Sequence, residues 1–103
     1  MSTEVRDNPE AKRYEIVVDG AVAGFARYRR PDEATIAFVH TDVDEAYAGQ
    51  GLAKVLARES LDEVRGRGLA VLPFCPFYRG FIAKNAEYLD LVPEAERAKF
   101  DLA

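Results

Sequence analysis

Gly49 and Gly51 stand one residue apart, immediately ahead of a segment with helical spacing, and that placement suits phosphate chemistry. Lacking side chains, the two glycines of Gly49-Gln50-Gly51 let a ligand approach the backbone closely. The first N–H groups of a helix have no intrahelical partner, and the macrodipole adds partial positive charge at the same end. A Gly-x-Gly ahead of a helix is more often an ordinary tight turn. This one lacks the Gly-Lys-Ser/Thr ending of a Walker loop and the full glycine spacing of a dinucleotide fingerprint.

Two other side chains carry reactive groups. His40 is the sole histidine, and histidine is the residue type whose charge ordinarily changes near neutral pH. It stands at the end of an alternating segment just before the glycine turn, as a general base or as a polar anchor for the loop. Cys75 is the sole cysteine, so an internal disulfide and an all-cysteine zinc site are excluded. A lone cysteine at a strand end is usually a small core residue, although its thiol is also a nucleophile. With one histidine, a metal site would have to rest on carboxylates, and no suitable cluster stands out; no metal is expected.

These groups need a frame. The 103 residues, 49% of them hydrophobic and 31% charged, suit one globular domain, expected over 13–103, after a flexible N-terminal segment at 1–12. Tyr14, Ile16 and Val18 alternate on one face of a strand, and Asp19-Gly20 is a hairpin turn. A second strand follows over 21–29. A third, over 34–41, is expected to put Ile36, Phe38 and His40 on one face. Leu52, Val55, Leu56, Leu61 and Val64 give a helical stripe that Gly66 and Gly68 end, leaving Lys54 and Arg58 to solvent. The apolar run 69–74 reads as a central strand, and Pro76 can open a second helix reaching Asn85. Leu89, Leu91 and Val92 suggest a last strand, and 93–100 a terminal helix. The order is β-β-β-α-β-α, an α+β fold with a mixed, mostly antiparallel sheet and flanking helices. The strands before the glycine turn and after its helix are expected to be parallel neighbours.

A net charge of −4 argues against a nucleic-acid surface. No apolar run approaches a membrane span, and the N-terminus has no apolar leader core. The expectation is a cytoplasmic protein without nucleic-acid or membrane partners.

Three antiparallel strands, then Phe38-Val39-His40-Thr41-Asp42-Val43, the Gly-x-Gly helix start and Pro73-Phe74-Cys75-Pro76 resemble the GCN5-related N-acetyltransferases (GNAT proteins). The likeness runs from about Tyr14 to Val92, includes the later stretch from Phe81 to Leu91, and is closest to a subgroup of roughly 100-residue members. It implies a minimal GNAT fold that binds acetyl-CoA as co-substrate. The coenzyme A pyrophosphate would lie on the backbone amides of Gly49, Gln50, Gly51, Leu52 and Ala53, beside Val43. Of the family pattern Gln/Arg-x-x-Gly-x-Gly/Ala, Gly51 and Ala53 fit the last two positions, while Ala48 occupies the Gln/Arg place. Arg79 and Lys84 would meet the phosphates or simply be solvated.

The resemblance also implies attack of an amine on the acetyl thioester. His40 is then the candidate base, and Cys75, in the place where larger relatives carry asparagine, lines the acyl site or forms an acetyl-thioester. Amides near Val71 and Leu72 would polarise the carbonyl. Ile82 falls where larger relatives carry a tyrosine acid; Tyr78 could stand in for it, but its reading as a core aromatic is the stronger one. Asp42, Asp44 and Glu45 would face the acceptor, where they attract a cationic amine of a protein, peptide or small molecule. With Asp19-Gly20 joining its strands directly, the acceptor groove should be shallow and open. The alternative is a noncatalytic acyl-CoA-binding or regulatory module.

Overall fold

Alternating apolar residues and tight turns build four strands in succession, and a fifth joins them after a helical crossover. In the computed structural model, which describes residues 2–103, these are β1 (Thr3–Asn8), β2 (Arg13–Val18), β3 (Ala21–Asp32), β4 (Thr35–Val43) and β5 (Ala70–Pro73). They form one sheet in sequence order, antiparallel except for the parallel β4–β5 pair. The α+β class and the parallel pair match expectation. The glycine turn, however, is preceded by four strands and not three.

The additional strand is β1, inside the stretch read as flexible. Only Val5 gives it an apolar residue on the core, so its own alternation carries almost no signal. Pairing with β2 holds it, as do polar bonds from its neighbours: the Tyr28 hydroxyl donates to Asp7 at 2.6 Å, and Arg67 bridges Asp7 at 3.2 Å. Met1 lies outside the described residues. Asp19 and Gly20 both take positive φ, 48° and 86°, making the tight β2–β3 turn.

Two helices, α1 (Leu52–Gly66) and α2 (Pro76–Lys84), pack on the sheet face that carries Tyr14, Tyr28 and Phe38. Leu52, Leu56, Leu61 and Val64 bury one stripe of α1. From α2, Tyr78 stacks on Phe38 with centroids 4.2 Å apart. Each such large side chain taken from water contributes about 2 kcal/mol. Among the described residues no helix is long and apolar enough to cross a membrane.

The C-terminal stretch departs from expectation. Leu89, Leu91 and Val92 belong to a 3-10 stretch, Ala86–Leu91, and its cap, and 93–100 holds two further short turns, Glu94–Glu96 and Ala98–Phe100. The path is set by anchors at irregular intervals. Arg65 clamps the Asp90 carboxylate with bonds of 2.7 and 2.9 Å, Arg97 holds the Val92 carbonyl, and Phe100 and Leu102 reach the core.

Candidate functional site

β4 and β5 pair only from Thr35 to Phe38 and Ala70 to Pro73, and one further bond, Cys75 N–H to the Phe38 carbonyl (2.8 Å), closes the junction. The chain then turns into α2, with Pro76 at its first position, while β4 runs on to Val43. The two strands part company at Cys75.

A bulge prepares β4 for this. Tyr28 pairs with Phe38 but Arg27 pairs with His40, so Val39 is an extra residue and the alternation inverts across it. Phe38 is fully buried, whereas His40 is exposed with its ring 6.2 Å from Phe25. His40 therefore does not share a face with Ile36 and Phe38, contrary to the simple alternation. Past the bulge, the Asp44 N–H bonds the Ala23 carbonyl at 2.7 Å. Alternation along the strand turns the backbone groups of His40 and Asp42 toward β3 as well. Those of Thr41 and Val43 turn the other way, into the space that β5 has left. Gly24 permits the approach of β3 to this segment: a Cβ there would stand 2.7 Å from the Asp42 carbonyl oxygen.

The open edge leads into the glycine turn. Asp44 accepts from the Ala46 amide at 2.9 Å and starts a 3-10 turn, Glu45–Tyr47. Gly49 and Gly51 follow with φ of 82° and 72°, the left-handed region where a Cβ is strained, and nothing fills the space beside either. Gly51 is the N-cap of α1 and supplies no side-chain bond. Among the described residues no amide from 49 to 54 donates a hydrogen bond; the first to do so is that of Val55, to the Gly51 carbonyl. Gly49, Gln50, Gly51, Leu52 and Ala53 thus present a run of free donors, with half-buried Val43 at the end of the adjoining strand.

Cys75 is buried at the N-cap of α2, its sulfur 3.2 Å from the Thr41 hydroxyl. Cys75 and His40 come from adjoining segments but lie on opposite sides of β4. Tyr78 is closed off from proton exchange: its hydroxyl meets Ser60 Oγ at 2.7 Å inside the core, and burial pushes the phenol up. Ile82 is likewise buried.

Two expected placements shift. The Ala70 amide bonds the Ala34 carbonyl, so Leu72 directs its amide to β4 and Val71 to the outer edge. Neither faces the opening, and β4 lines it instead. Arg79 is engaged at the end of β5, donating to the Phe74 carbonyl at 2.9 Å and the Pro73 carbonyl at 3.4 Å. Lys84 lies in a groove of about 400 Å³ between α1 and α2, together with Lys54 and Arg58. The latter two are exposed, as expected, and their spacing of four on α1 puts them on one face. On the far side of β4, Asp42 and Asp44 line a shallow depression with Arg13, Gly24 and Phe25.

Fold and site together define an α+β domain in which a parallel strand pair opens beside a helix started by glycines. A family model described as GCN5-related N-acetyl-transferase matches residues 13–91, and the chain belongs to that family. The solution structure of a GCN5-like protein from Staphylococcus aureus is similar in fold, with a TM-score of 0.66 and 23% identity over 87% of each chain. No curated protein matches the chain in sequence.

Proposed function

We propose that this protein is an N-acetyltransferase that takes acetyl-CoA and passes the acetyl group to an amine of a protein, peptide or small molecule. One observation carries the reading: an unpaired strand edge at Thr41 and Val43 runs directly into the free amides of residues 49–54. The pantetheine arm of coenzyme A contains two amides, which fit a strand edge lacking its partner, as an added strand would. Its pyrophosphate fits the glycine turn at the helix start. Family membership supports the same donor.

In the reaction the amine nitrogen forms a bond to the acetyl carbon and the carbon–sulfur bond breaks. The amine loses a proton, and the departing sulfur gains one. His40, exposed beside the Asp42 and Asp44 depression, is the proposed acceptor of the amine proton. The two aspartates would draw a cationic amine to that side. Cys75, against Thr41 on the other side of β4, lines the acyl end or takes the acetyl group as a thioester before the amine does. Carbonyl polarisation falls to β4 amides past the bulge rather than to Val71 or Leu72. The β1–β2 and β2–β3 connections contain no helix, which supports an open acceptor face. A reducing cytosol suits the single free cysteine.

A second reading, a noncatalytic acyl-CoA-binding or regulatory module, draws on Ala48, on Ile82 in the tyrosine place and on the sealed Tyr78. Calorimetry with coenzyme A, paired with measurement of free coenzyme A release across a panel of amines, tests both. Binding with turnover is expected. Binding without turnover favours the module, and no binding at millimolar ligand overturns both.

A further inference from the structure

The sheet face turned away from α1 and α2 carries two rows of side chains across its strands. One row runs Arg13, Arg27 and His40; the next runs Arg6, Glu15, Phe25 and Asp42. Arg13 and Arg27 are directly opposite each other, an arrangement of like charges that disfavours the sheet. Glu15, buried between the strands, takes up part of that charge. It accepts from Arg13 Nε at 2.8 Å and lies 3.6 Å from Arg6 Nε. Three guanidinium groups thus share one carboxylate. Among the described residues the terminal nitrogens of Arg13 bond to nothing, and neither does any part of the exposed Arg27 guanidinium. Both groups lie against the Phe25 ring, at 4.7 and 5.8 Å from its centroid.

The acids stand at the other end of the same face. Asp42 and Asp44 are exposed, and with Arg13, Val22 and Phe25 they line the depression of about 260 Å³. Its charge is therefore bipolar, with free guanidinium groups on β2 and β3 and carboxylates on β4 and just beyond it. A purely cationic amine would be drawn to one end and repelled by the other, whereas a zwitterion gains at both. Arg27 stands directly opposite His40, where cross-strand Cβ atoms are about 5 Å apart. A carboxylate on Arg27 and an amine at His40 thus fit within one small molecule. Between the charges, half-buried Phe25 and 41%-exposed Val22 offer an apolar floor.

We infer that the acetyl acceptor is a free α-amino acid with an apolar side chain, an inference that rests on the acetyl-CoA reading above. Its carboxylate is held by Arg13 and Arg27, its amine lies at His40 and Asp42, and its side chain rests on Phe25 and Val22. The forked donors of a guanidinium match a carboxylate, and Glu15 holds Arg13 in place for it. In the reaction the neutral α-amine bonds the acetyl carbon and gives a proton to His40. The carbon–sulfur bond breaks, and the coenzyme A sulfur takes up a proton. The amide formed has lost the positive charge that Asp42 attracts, which favours its release.

Coenzyme A release, measured with leucine and phenylalanine and with the matched amines that lack the carboxylate, isoamylamine and phenethylamine, tests the inference. The native protein should show kcat/KM at least about tenfold higher for each amino acid than for its amine, mainly through KM. In Arg27→Gln, at an exposed site without partners, that ratio should fall to within about twofold, with activity on the amines no lower. Arg27→Lys should keep part of the ratio. Arg29→Gln removes the same charge from the next outward position on β3, opposite Ala37, and should keep all of it. Equal turnover of amino acid and amine by the native protein overturns the inference alone. So does a ratio that survives in Arg27→Gln or collapses equally in Arg29→Gln, or turnover confined to other amines. Absence of coenzyme A release with every amine overturns the acetyl-transfer reading, and this inference with it.

Discussion

Replacing Gly24 by alanine tests whether the close approach of β3 fixes the open half of β4. A Cβ at this position would meet the Asp42 carbonyl oxygen at 2.7 Å, Val43 Cγ2 at 3.0 Å and Val43 Cα at 3.1 Å. Two of these are backbone atoms, so a rotamer change cannot relieve the clash; β4 must move at Asp42 and Val43. Overpacking of this kind costs about 1–3 kcal/mol. Restricting the unfolded chain returns about 0.4–1 kcal/mol. The expected net loss is about 0.5–2 kcal/mol, or several degrees of Tm for a domain of this size. Gly66→Ala is the control, since it lies within α1 and a Cβ there meets nothing within 4 Å. It should raise Tm slightly. Thermal melts and coenzyme A calorimetry on both variants give the answer. Gly24→Ala should also weaken coenzyme A binding, because the displaced segment carries the Val43 backbone groups. A Gly24→Ala protein as stable as the native one, with unchanged affinity, would refute the reasoning.

In the buried Ser60–Tyr78 pair, Ser60 Oγ donates to the Ala57 carbonyl at 3.1 Å, which leaves it to accept from the tyrosine hydroxyl. Ser60→Ala strands that hydroxyl and should cost about 1–3 kcal/mol, while Tyr78→Phe should cost only about 1 kcal/mol; urea melts showing the reverse order would reject this donor assignment. Burial would raise the Glu15 carboxyl, but bonds from Asn8 and Arg13 and the charges of Arg13 and Arg6 outweigh it and hold the group below its usual range. Its contribution is therefore complete above the unfolded carboxylate value and disappears as pH falls through the lower folded one. Glu15→Gln should lose about 1–2 kcal/mol at neutral pH and progressively less from about pH 5 downward; a deficit independent of pH would contradict this. His40→Gln should lower kcat/KM by about 10²-fold or more while leaving the coenzyme A Kd unchanged, and unaltered turnover would make His40 an anchor only.

The sequence pattern was most legible where a local rule acts alone. Asp19-Gly20 dictates its hairpin, and the α1 stripe from Leu52 to Val64 its burial. The parallel pairing of 34–41 with 69–74 followed from a helix lying between two apolar runs. What stayed hidden depends on partners distant in the chain. β1 has one core residue and is a strand because β2 offers an unpaired edge and because Tyr28 and Arg67 hold Asp7. The bulge at Val39 leaves no mark in residue type, since valine fits either face; only the register against Arg27 and Tyr28 exposes it. That single inserted residue decides the site. It sends His40 to the open face, leaves Thr41 against Cys75, and directs unpaired backbone groups into the gap beyond β5. Strict alternation would put the His40 side chain in the core beside Phe38, where burying it without a polar partner would cost several kcal/mol. The irregularity is therefore what allows one strand to serve a donor on one side and an acceptor on the other.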